Sequence, residues 1–543
     1  MLRDLPRLAR DPFDLLVVGG GVHGLAAAYD AAQRGFSVAL VERGDFGSGA
    51  SFNHLKTVHG GLRYLQTADL KRMRESILER RTLARIAPHL LTLLPFLMPT
   101  YRKPTRSRLA MRVAFRADAF IAGDRNQGVT PRLHLPAGRL LSKAECLQAF
   151  PDVRHHGLTG AALWHDYQMR NTERLTLAFA LGADAAGACL ANYVEAVRPL
   201  VEGGRAQGAR VRDVTTGDEF DVRAGMTLNA AGAAAGRLMA GLGRTDPFPL
   251  IKAMNLVTRR PMSGPALASS TDEGRMLFLV PWEGRAMAGT SHGQQACGPD
   301  EAGVSPAEME WFIDQVNQAF PALRLTPDDV ALVHRGVVPA ARSRKGEWGL
   351  EGHFRLRDHS LDGVEGAISM VAVKYTTARG VAEEAVDLVA RKLGRRVPSR
   401  SAQVPLPGGD VPDLDVLVGM ARREVGGRVD DETLGQIALT YGSGYPPLAQ
   451  LVRDVPASAE RLVPGLPVIR AQVLHAVRDE MALTLTDVVA RRTPLGAAGH
   501  PGPAAARACA GVMAEELGWD EKRIEAETAA LRDFYRPIPT SLA

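Results

Sequence analysis

Cysteine is scarce in this chain of 543 residues, which contains four, far apart in the sequence: Cys146, Cys189, Cys297 and Cys509. Disulfide frameworks and zinc sites need cysteines in close, recurring spacings. The sequence therefore indicates neither, and we expect reduced thiols and no bound metal.

Aromatic residues are also few, at 6%, and no block of basic residues is interleaved with them. The net charge of +6 fits an anionic substrate or an acidic membrane surface, but the pattern gives no indication of nucleic-acid binding. With 45% hydrophobic and 23% charged residues, the chain is neither disordered nor fibrous. Its length predicts two or three ordered domains.

No apolar run is long enough to cross a membrane. The most apolar stretch after the first strand, residues 90–99, contains two prolines and falls short of the roughly 20 residues that a spanning helix needs. Residues 1–12 lack the apolar core of a signal peptide, so we expect a cytoplasmic protein. Leu2, Leu5 and Leu8 recur at helical spacing among arginines, which is typical of a short helix lying on anionic lipid or of a frayed cap.

A glycine-rich turn lies between a predicted buried strand and a predicted helix. Gly19 permits the tight turn, Gly21 lets the backbone approach a pyrophosphate, and Gly24 allows the helix to pack on the strand. A second predicted strand ends at Glu42, whose carboxylate can accept hydrogen bonds from ribose hydroxyls. The order of strand, turn, helix, strand and acid predicts a dinucleotide site for FAD or NAD.

The whole pattern predicts an α/β fold in three parts. A Rossmann-type nucleotide-binding domain is interleaved with a β-rich substrate domain over residues 12–403, and a C-terminal α-helical domain occupies residues 411–543. The boundary is the proline- and glycine-rich run at residues 404–410. The predicted strands are residues 13–18, 37–42, 96–101, 189–201, 209–214, 219–228, 276–280 and 285–289, and the predicted helices are residues 22–34, 69–85, 307–320 and 378–393.

Two stretches after the glycine turn carry a specific family resemblance. They are Ser48-Gly49-Ala50-Ser51 and the run from Lys56 to Leu65, which contains His-Gly-Gly-Leu-Arg-Tyr-Leu. Both resemble the FAD-dependent glycerol-3-phosphate dehydrogenase family, which belongs to the DAO-type flavoproteins. Further matches along the chain are Trp164-x-Asp166, Arg174-Leu175, Asn229-Ala230-Ala231-Gly232, Val280-Pro281-Trp282, Gly289-Thr290, Lys374-x-Thr376-Thr377, Thr440-Tyr441-Gly442 and residues 480–493.

The resemblance implies that the nucleotide is FAD, bound non-covalently on a Rossmann-type FAD-binding domain. It implies oxidation of sn-glycerol 3-phosphate to dihydroxyacetone phosphate, with hydride passing to flavin N5 and electrons leaving to a quinone. It also implies a peripheral position on the cytoplasmic face of the membrane and a homodimer.

Four positions carry the chemistry that the resemblance implies. The substrate's hydroxyl proton must pass to a base, and the ordinary pKa of His59 suits that task; support of the flavin edge is its alternative role. Arg63 offers a planar cationic fork for a phosphate or an oxyanion, and Tyr64 offers a hydroxyl donor or only a core aromatic ring. Lys374 precedes the predicted helix at residues 378–393, and both would bring positive charge to the flavin.

The resemblance also implies which residues contact FAD. Lys56 is expected to be a flavin or structural contact and not a catalyst, and Asp166 and Arg174 are expected to pair with each other. The implied contacts are Gly19, Gly21, Gly24, Glu42, Ser51, Lys56, Val194, Gly232, Thr376 and Thr377.

The sequence departs from the family pattern on one side of the predicted substrate pocket. Val338 stands where the family has an arginine that holds substrate, Ala372-Val373 replaces a glycine pair, and Asn255 replaces a common histidine. Phe52 and His54 also replace small residues. This pattern fits an enzyme that keeps its cofactor and alters its substrate site.

Three arginines near Val338 are candidates to replace the missing charge: Arg335, Arg342 and Arg344. Arg335 lies three residues from Val338, so it is predicted to point to the other face of a strand. The true substrate and the electron acceptor therefore stay open. One alternative is a flavin dehydrogenase or oxidase of another polyol phosphate, hydroxy acid or amine, and another is a non-catalytic FAD-binding protein.

Overall fold

The computed structural model describes residues 1–102, 107–170, 172–244, 248–343, 346–411 and 413–538. Arg344, one of the candidates to compensate for Val338, lies outside the described residues.

The chain forms two β-sheets with helices packed on them, followed by a helical C-terminal part. The strands are β1 (Phe13–Val18), β2 (Val38–Val41), β3 (Thr57–Val58), β4 (Leu91–Tyr101), β5 (Arg139–Leu141), β6 (Leu158–Met169), β7 (Cys189–Ala191), β8 (Val194–Glu202), β9 (Arg205–Asp213), β10 (Glu219–Asn229), β11 (Leu250–Pro261), β12 (Ala266–Ser270), β13 (Met276–Trp282), β14 (Arg285–Ala296), β15 (Val330–Arg342), β16 (Trp348–Leu350), β17 (Arg355–Asp358) and β18 (Ala367–Val371). The helices are α1 (Leu5–Arg10), α2 (Val22–Gln33), α3 (Leu70–Ile86), α4 (Arg108–Ile121), α5 (Lys143–Ala149), α6 (Thr172–Ala185), α7 (Ala235–Gly241), α8 (Pro306–Ala319), α9 (Ala378–Lys392), α10 (Leu414–Val425), α11 (Asp431–Tyr441), α12 (Pro446–Asp454), α13 (Arg470–Asp479), α14 (Leu485–Asp487), α15 (Pro503–Leu517) and α16 (Glu521–Phe534).

The first sheet has the strand order β17-β18-β10-β1-β2-β7, and β18, β10, β1, β2 and β7 run parallel. Helices α2, α6 and α9 pack together on one face and bury a large apolar core. Strands β8, β9 and β10 form an antiparallel extension that packs, with α1, on the other face. Because both faces are covered, β1 is buried along nearly its whole length. The predicted Rossmann-type α/β fold is confirmed.

The second sheet has the order β16-β15-β11-β14-β13-β12-β4-β6-β3, and β5 pairs with β6. Helix α8 covers one face with buried Phe312 and Val316. The sheet contains the predicted β-rich region, but it also takes in β4 and β6 from much earlier in the chain. Only residues 96–101 of β4 were predicted as a strand, because Pro95 and Pro99 interrupt the pattern.

Helices α10 to α16 form the C-terminal part, which buried ion pairs join to the first sheet. Arg174 donates from Nη1 to both carboxylate oxygens of Glu480, at 2.6 Å each. Arg491 and Arg492 both donate to Asp45, which lies shortly after β2. Although burial opposes ionisation, the two guanidinium groups hold the pKa of Asp45 at about 2. The joint between the two parts is therefore charged and buried.

The expected pairing of Asp166 with Arg174 is wrong. Asp166 on β6 pairs with Arg80 in the second half of α3, whereas Arg174 on α6 pairs with Glu480 in the C-terminal part. Asp166 and Arg174 therefore connect different pairs of elements in the fold.

The N-terminal helix α1 is docked on the protein, so the frayed-cap alternative is wrong and its contact with lipid stays a prediction. Leu8 is fully buried in the core on one face of the first sheet. Arg3 donates to the carboxylate of Asp213 and to two backbone carbonyls. Only Leu2 of the three leucines is largely exposed, at 79%. Over the part of the chain that the structure describes, no helix has the length and apolarity for a membrane crossing.

Candidate active site

The glycine turn joins the end of β1 to the first turn of α2. Gly19 has a φ of +110°, and a Cβ there would stand 2.6 Å from the carbonyl oxygen of Ala230. A Cβ on Gly24 would stand 1.9 Å from the carbonyl oxygen of Gly19. Beside Gly21, only the Ser51 hydroxyl lies within 4 Å of an added Cβ, at 3.2 Å. The turn thus leaves room for an anion at the N-terminus of α2.

Two polar side chains frame this space. The Ser51 hydroxyl accepts a hydrogen bond from the Val22 N–H at 2.9 Å, in the first turn of α2. The Glu42 carboxylate accepts from the N–H groups of Gly20 and Gly44, at 2.6 and 2.8 Å. Burial raises the pKa of Glu42. An acidic acceptor therefore stands at the end of β2, where a nucleotide ribose is expected.

The other implied cofactor contacts lie along the same edge of the first sheet, where the parallel strands end. Gly232 follows β10 with a φ of +56°, and an added Cβ there meets nothing within 4 Å. Val194 is buried, and its N–H donates to the carbonyl of Glu42 at 2.7 Å. Thr376 and Thr377 lie between β18 and the N-terminus of α9. There is therefore free space beside Gly232 at this edge of the sheet, whereas the side chain of Val194 is packed inside the protein.

Several buried polar atoms on the second sheet, or in the loop before β3, have no hydrogen-bond partner among the described residues. They are Nε2 of His54, Nδ2 of Asn255 and both ring nitrogens of His334. Asn255 and His334 are direct neighbours across β11 and β15, and the Phe52 ring lies 4.8 Å from that of His334. Buried polar groups in native proteins normally have partners. The unmatched donors and acceptors fit a polar heteroaromatic ligand such as the flavin of FAD.

Lys56 is held inside the protein. Its Nζ donates to the carbonyl of Phe52 at 2.6 Å and pairs with Glu173 at 2.5 Å, and the residue is 1% exposed. Burial lowers its pKa, with the Glu173 carboxylate opposing that effect. The arrangement favours the structural role over a side-chain contact to the flavin.

The His-Gly-Gly-Leu-Arg-Tyr-Leu run ends in a cluster of cationic groups. Tyr64 is buried at its centre, 6.4 Å from the ring of His59. Lys374 Nζ and Arg72 Cζ each lie 4.6 Å from the centre of the Tyr64 ring, and Arg63 Cζ lies 5.8 Å from it. Among the residues described, no carboxylate lies within ion-pair distance of these three cations. Such a cluster attracts an anion.

The cationic surroundings change the protonation of the groups inside them. Burial lowers the pKa of His59 well below its ordinary value, and Lys374 and Arg63 add to the effect. Its imidazole is therefore neutral near pH 7 and can accept a proton. Burial, followed by the charges of Arg72 and Arg63, lowers the pKa of Lys374 to about 7. Lys374 donates a hydrogen bond to the hydroxyl of Ser76 on α3.

Asp166 holds the backbone of the His-Gly-Gly-Leu-Arg-Tyr-Leu run in place through a hydrogen bond. Its Oδ1 accepts from the Gly60 N–H at 2.8 Å and from the Arg80 guanidinium, and Oδ2 accepts from Trp164 Nε1 at 3.3 Å. This explains in physical terms why the Trp164-x-Asp166 pair accompanies the glycine-containing run, since one carboxylate holds the loop that carries His59.

Arg72 of the cluster and His292, which feels the charge of Arg63, were not among the predicted site residues. Arg72 lies on α3, which was predicted as a helix without any role for its arginines. His292 lies on β14, and burial lowers its pKa to about 4, with Arg275 and Arg63 adding to the shift. The only sequence signal for His292 was its position two residues after the Gly289-Thr290 match.

Of the residues around Val338 that the structure describes, none brings a replacement charge to its side of β15. Gly336 faces the loop at residues 50–53, and Val338 shares that face because side chains alternate. Arg335 points to the opposite face, as predicted, and its Nη1 is buried without a partner among the described residues. Arg342 stacks on a tryptophan ring at 4.5 Å. The cationic groups gather instead around Tyr64.

A nucleotide turn on a parallel sheet, facing a second sheet with a cationic pocket, defines the chain as an FAD-dependent oxidoreductase. Comparison with protein families agrees: residues 14–388 match the model of the FAD-dependent oxidoreductases, DAO. Residues 399–524 match the model of the C-terminal domain of alpha-glycerophosphate oxidase.

Curated relatives narrow the assignment. The chain is 30% identical over 554 residues to a glycerol-3-phosphate dehydrogenase of Synechocystis sp., and the match covers 98% of each chain. It is 30% identical over 552 residues to the mitochondrial glycerol-3-phosphate dehydrogenase of Bos taurus, covering 96% of this chain and 73% of the relative. The chain belongs to the FAD-dependent glycerol-3-phosphate dehydrogenase family.

Solved structures agree with that assignment. A glycerol-3-phosphate dehydrogenase from Bacillus halodurans, complexed with FAD, matches with a TM-score of 0.76 and 25% identity, over 98% of this chain and 96% of that one. The glycine oxidase of Geobacillus kaustophilus matches with a TM-score of 0.51 and 21% identity over 73% of this chain, which shows the shared fold alone. FAD is the cofactor of this enzyme.

Proposed function

We propose that the enzyme oxidises sn-glycerol 3-phosphate to dihydroxyacetone phosphate. The observation that carries the proposal is the group of cations around Tyr64, which has no carboxylate partner in the described part of the chain and lies beside a neutral histidine. A phosphate monoester supplies the missing anion, and its secondary alcohol supplies the proton that the histidine accepts. Relatives named glycerol-3-phosphate dehydrogenase support this choice of substrate.

The residues of the pocket divide the work. Arg63 binds the substrate phosphate, and Tyr64 holds the cationic side chains in place through its ring. His59 takes the proton from the secondary hydroxyl as the carbonyl forms. Lys374 supplies positive charge to the oxygen that becomes negative as that proton leaves.

FAD supplies the hydride acceptor when it is bound. Gly19, Gly21 and Gly24 leave room for its pyrophosphate, and Glu42 accepts from its ribose. Asn255, His54 and His334 are positioned to bind its ring system. The remaining proposed contacts are Ser51, Val194, Gly232, Thr376 and Thr377. We keep residues 12–403 and 411–543 as the proposed domain division.

Anaerobic mixing of the purified flavoprotein with sn-glycerol 3-phosphate tests the proposal. We expect the oxidised flavin band to bleach, and His59→Gln to slow the bleaching by about a hundredfold to ten-thousandfold, the usual contribution of a general base. His156→Gln, at an exposed histidine, is the matched control and should bleach like the unaltered enzyme. A flavin that binds but stays oxidised would overturn the proposal.

Val338 supports a second candidate, an oxidation of another polyol phosphate, hydroxy acid or amine. An uncharged side chain on the face of β15 that looks toward residues 50–53 leaves that side of the pocket apolar. A compound that bleaches the flavin faster than sn-glycerol 3-phosphate would establish this candidate. The match to an oxidoreductase family sets aside the non-catalytic alternative.

Helix α4 supports a peripheral membrane position and a quinone as electron acceptor. Leu109, Val113 and Phe120 are 67%, 60% and 90% exposed. Their spacing places them along one side of the helix, with exposed Arg112 and Arg116 between them. An exposed apolar stripe with interspersed arginines is typical of helices that lie in an anionic lipid surface. Helix α4 is therefore a second candidate for the lipid contact, beside the one predicted at the N-terminus.

A further inference from the structure

Arg72 is a cation whose guanidinium group has no hydrogen-bond or ion-pair partner among the described residues. Its backbone N–H is bound to the Asp69 carboxylate at the start of α3, and its backbone carbonyl accepts from Ser76. The helix therefore holds the backbone of Arg72 rigidly while its charged end reaches the Tyr64 ring, at 4.6 Å.

Electrostatic repulsion opposes the position of Arg72 beside two other cations. A purely structural role for its side chain would not offset that repulsion. Lys374 stands at the same 4.6 Å from the same ring, and Arg63 stands on it as well. Like charges brought together in a half-buried place repel each other, and one ring face offers each cation only about 0.5–2 kcal/mol. The charge of Arg72 is also the largest of the neighbouring charges that lower the pKa of Lys374. An anion between the cations removes this repulsion.

The contacts on α3 differ from one arginine to the next, and this separates Arg72 from the others. Arg74 and Arg81 pair with Asp124, and Arg80 pairs with Asp166. Arg72 alone among these four has its guanidinium group on the Tyr64 ring, and it forms no ion pair with a carboxylate in the described part of the chain. The helix thus carries structural arginines on its other sides and an uncompensated one at the pocket.

We infer that Arg72 binds the phosphate group of the substrate together with Arg63, and so replaces the charge that is missing at Val338. A phosphate monoester carries close to two negative charges near neutral pH, and guanidinium groups bind it through paired hydrogen bonds. Two arginines from different elements, α3 and the turn after Gly61, therefore neutralise it from two sides. The inference rests on the proposed function for the identity of the substrate, but the phosphate site itself does not.

The test compares Arg72→Leu with Arg72→Lys and with a control on the same helix, Lys71→Leu. Lys71 is 87% exposed and lies one residue away, facing solvent. Each variant is purified with its flavin, and two quantities are measured. One is the KM and kcat for sn-glycerol 3-phosphate, and the other is the upward shift of the unfolding temperature caused by inorganic phosphate.

We expect Arg72→Leu to raise KM about tenfold to a hundredfold, the usual effect of losing one charge-assisted hydrogen bond, with a much smaller change in kcat. The phosphate-induced shift should disappear in the same variant. Arg72→Lys should recover part of both effects, and Lys71→Leu should leave both unchanged. An Arg72→Leu enzyme with unaltered KM and an unaltered phosphate shift would overturn the inference.

Failure of the substrate assignment gives a different result. If sn-glycerol 3-phosphate leaves the flavin oxidised, but phosphate still raises the unfolding temperature in a manner that needs Arg72, the phosphate site stands and the proposed substrate falls. A variant that loses its flavin spectrum is replaced by Arg72→Gln, which keeps the length and polarity of the side chain.

Discussion

Lys374 is one of the three cationic side chains that lie against the Tyr64 ring. Its pKa of about 7 means that the charge on its amine changes within the physiological range. Arginine keeps its charge throughout that range. Comparing the unaltered enzyme with Lys374→Arg therefore tests the effect of a titrating cation against that of a permanent one at position 374.

We predict that kcat/KM for the unaltered enzyme falls as pH rises through about 7, because the free enzyme loses the positive charge of Lys374 above its pKa. In Lys374→Arg the fall should vanish, even if the maximal rate is lower. Steady-state rates with an artificial electron acceptor from pH 6 to 9 measure both profiles. Identical profiles would show that the pH dependence arises elsewhere, for example in the substrate phosphate.

At the scale of single residues, the sequence indicated positions whose roles depend on local neighbours in a motif. His59, Arg63, Tyr64 and Lys374 are all brought into one pocket. Arg72 and His292 could not be found in this way, because each reaches the pocket through tertiary packing. Nothing near Arg72 in the sequence distinguishes its charge from those of the structural arginines on the same helix.

Among the elements, α4 gives a prediction about association with lipid. Phe120→Asp combined with Val113→Asp should abolish co-sedimentation with vesicles that contain anionic lipid, since both changes place charge on the exposed apolar stripe. Leu361→Asp, at another exposed apolar residue, is the control, because Leu361 is 73% exposed and lies outside the helix. Flavin reduction by substrate should be unaffected in all variants. Vesicle binding that survives the double change would assign the contact to another surface.

The strands and helices were predictable where one periodicity dominated. The strand at residues 13–18 and helices α2 and α9 follow from an apolar run and alanine-rich turns, whereas α6 on the same face of the sheet was not predicted. Strand β4 was only partly predicted, because its prolines are unfavourable in a strand. All eleven residues nevertheless form a strand, which pairs with β6 along its length. Residues 189–201 were predicted as one strand and form β7 and β8, because the chain turns at Tyr193, which has a φ of +55°.

The buried ion pairs between the first sheet and the C-terminal helices contribute to the stability of the whole molecule. His475 lies among them and makes this contribution depend on pH. Although burial opposes protonation, Glu480 and Asp479 raise the pKa of His475 from 6.5 to about 9. A group whose pKa rises on folding stabilises the folded state fully below its unfolded value, and this contribution is lost as pH rises through the folded value.

We therefore predict that the thermal stability of the holoenzyme decreases between pH 6.5 and 9 more steeply than that of His475→Gln. Each pKa unit corresponds to about 1.4 kcal/mol, so the difference should reach a few kcal/mol of unfolding free energy. Calorimetric scans at the two pH values measure it. Equal slopes for both proteins would mean that His475 is not charged in the folded state.

The positions of β1, β18 and Arg492 in the chain have a consequence for how the enzyme is made. Translation delivers about 5–20 residues per second from the N-terminus, so β1 leaves the ribosome long before β18, which lies in the same sheet on the far side of β10. Arg492, which neutralises Asp45 next to the nucleotide turn, emerges later still. A nascent chain therefore has no complete flavin site, and the cofactor joins the finished polypeptide. Cells starved of riboflavin should accumulate full-length apoprotein and not truncated translation products.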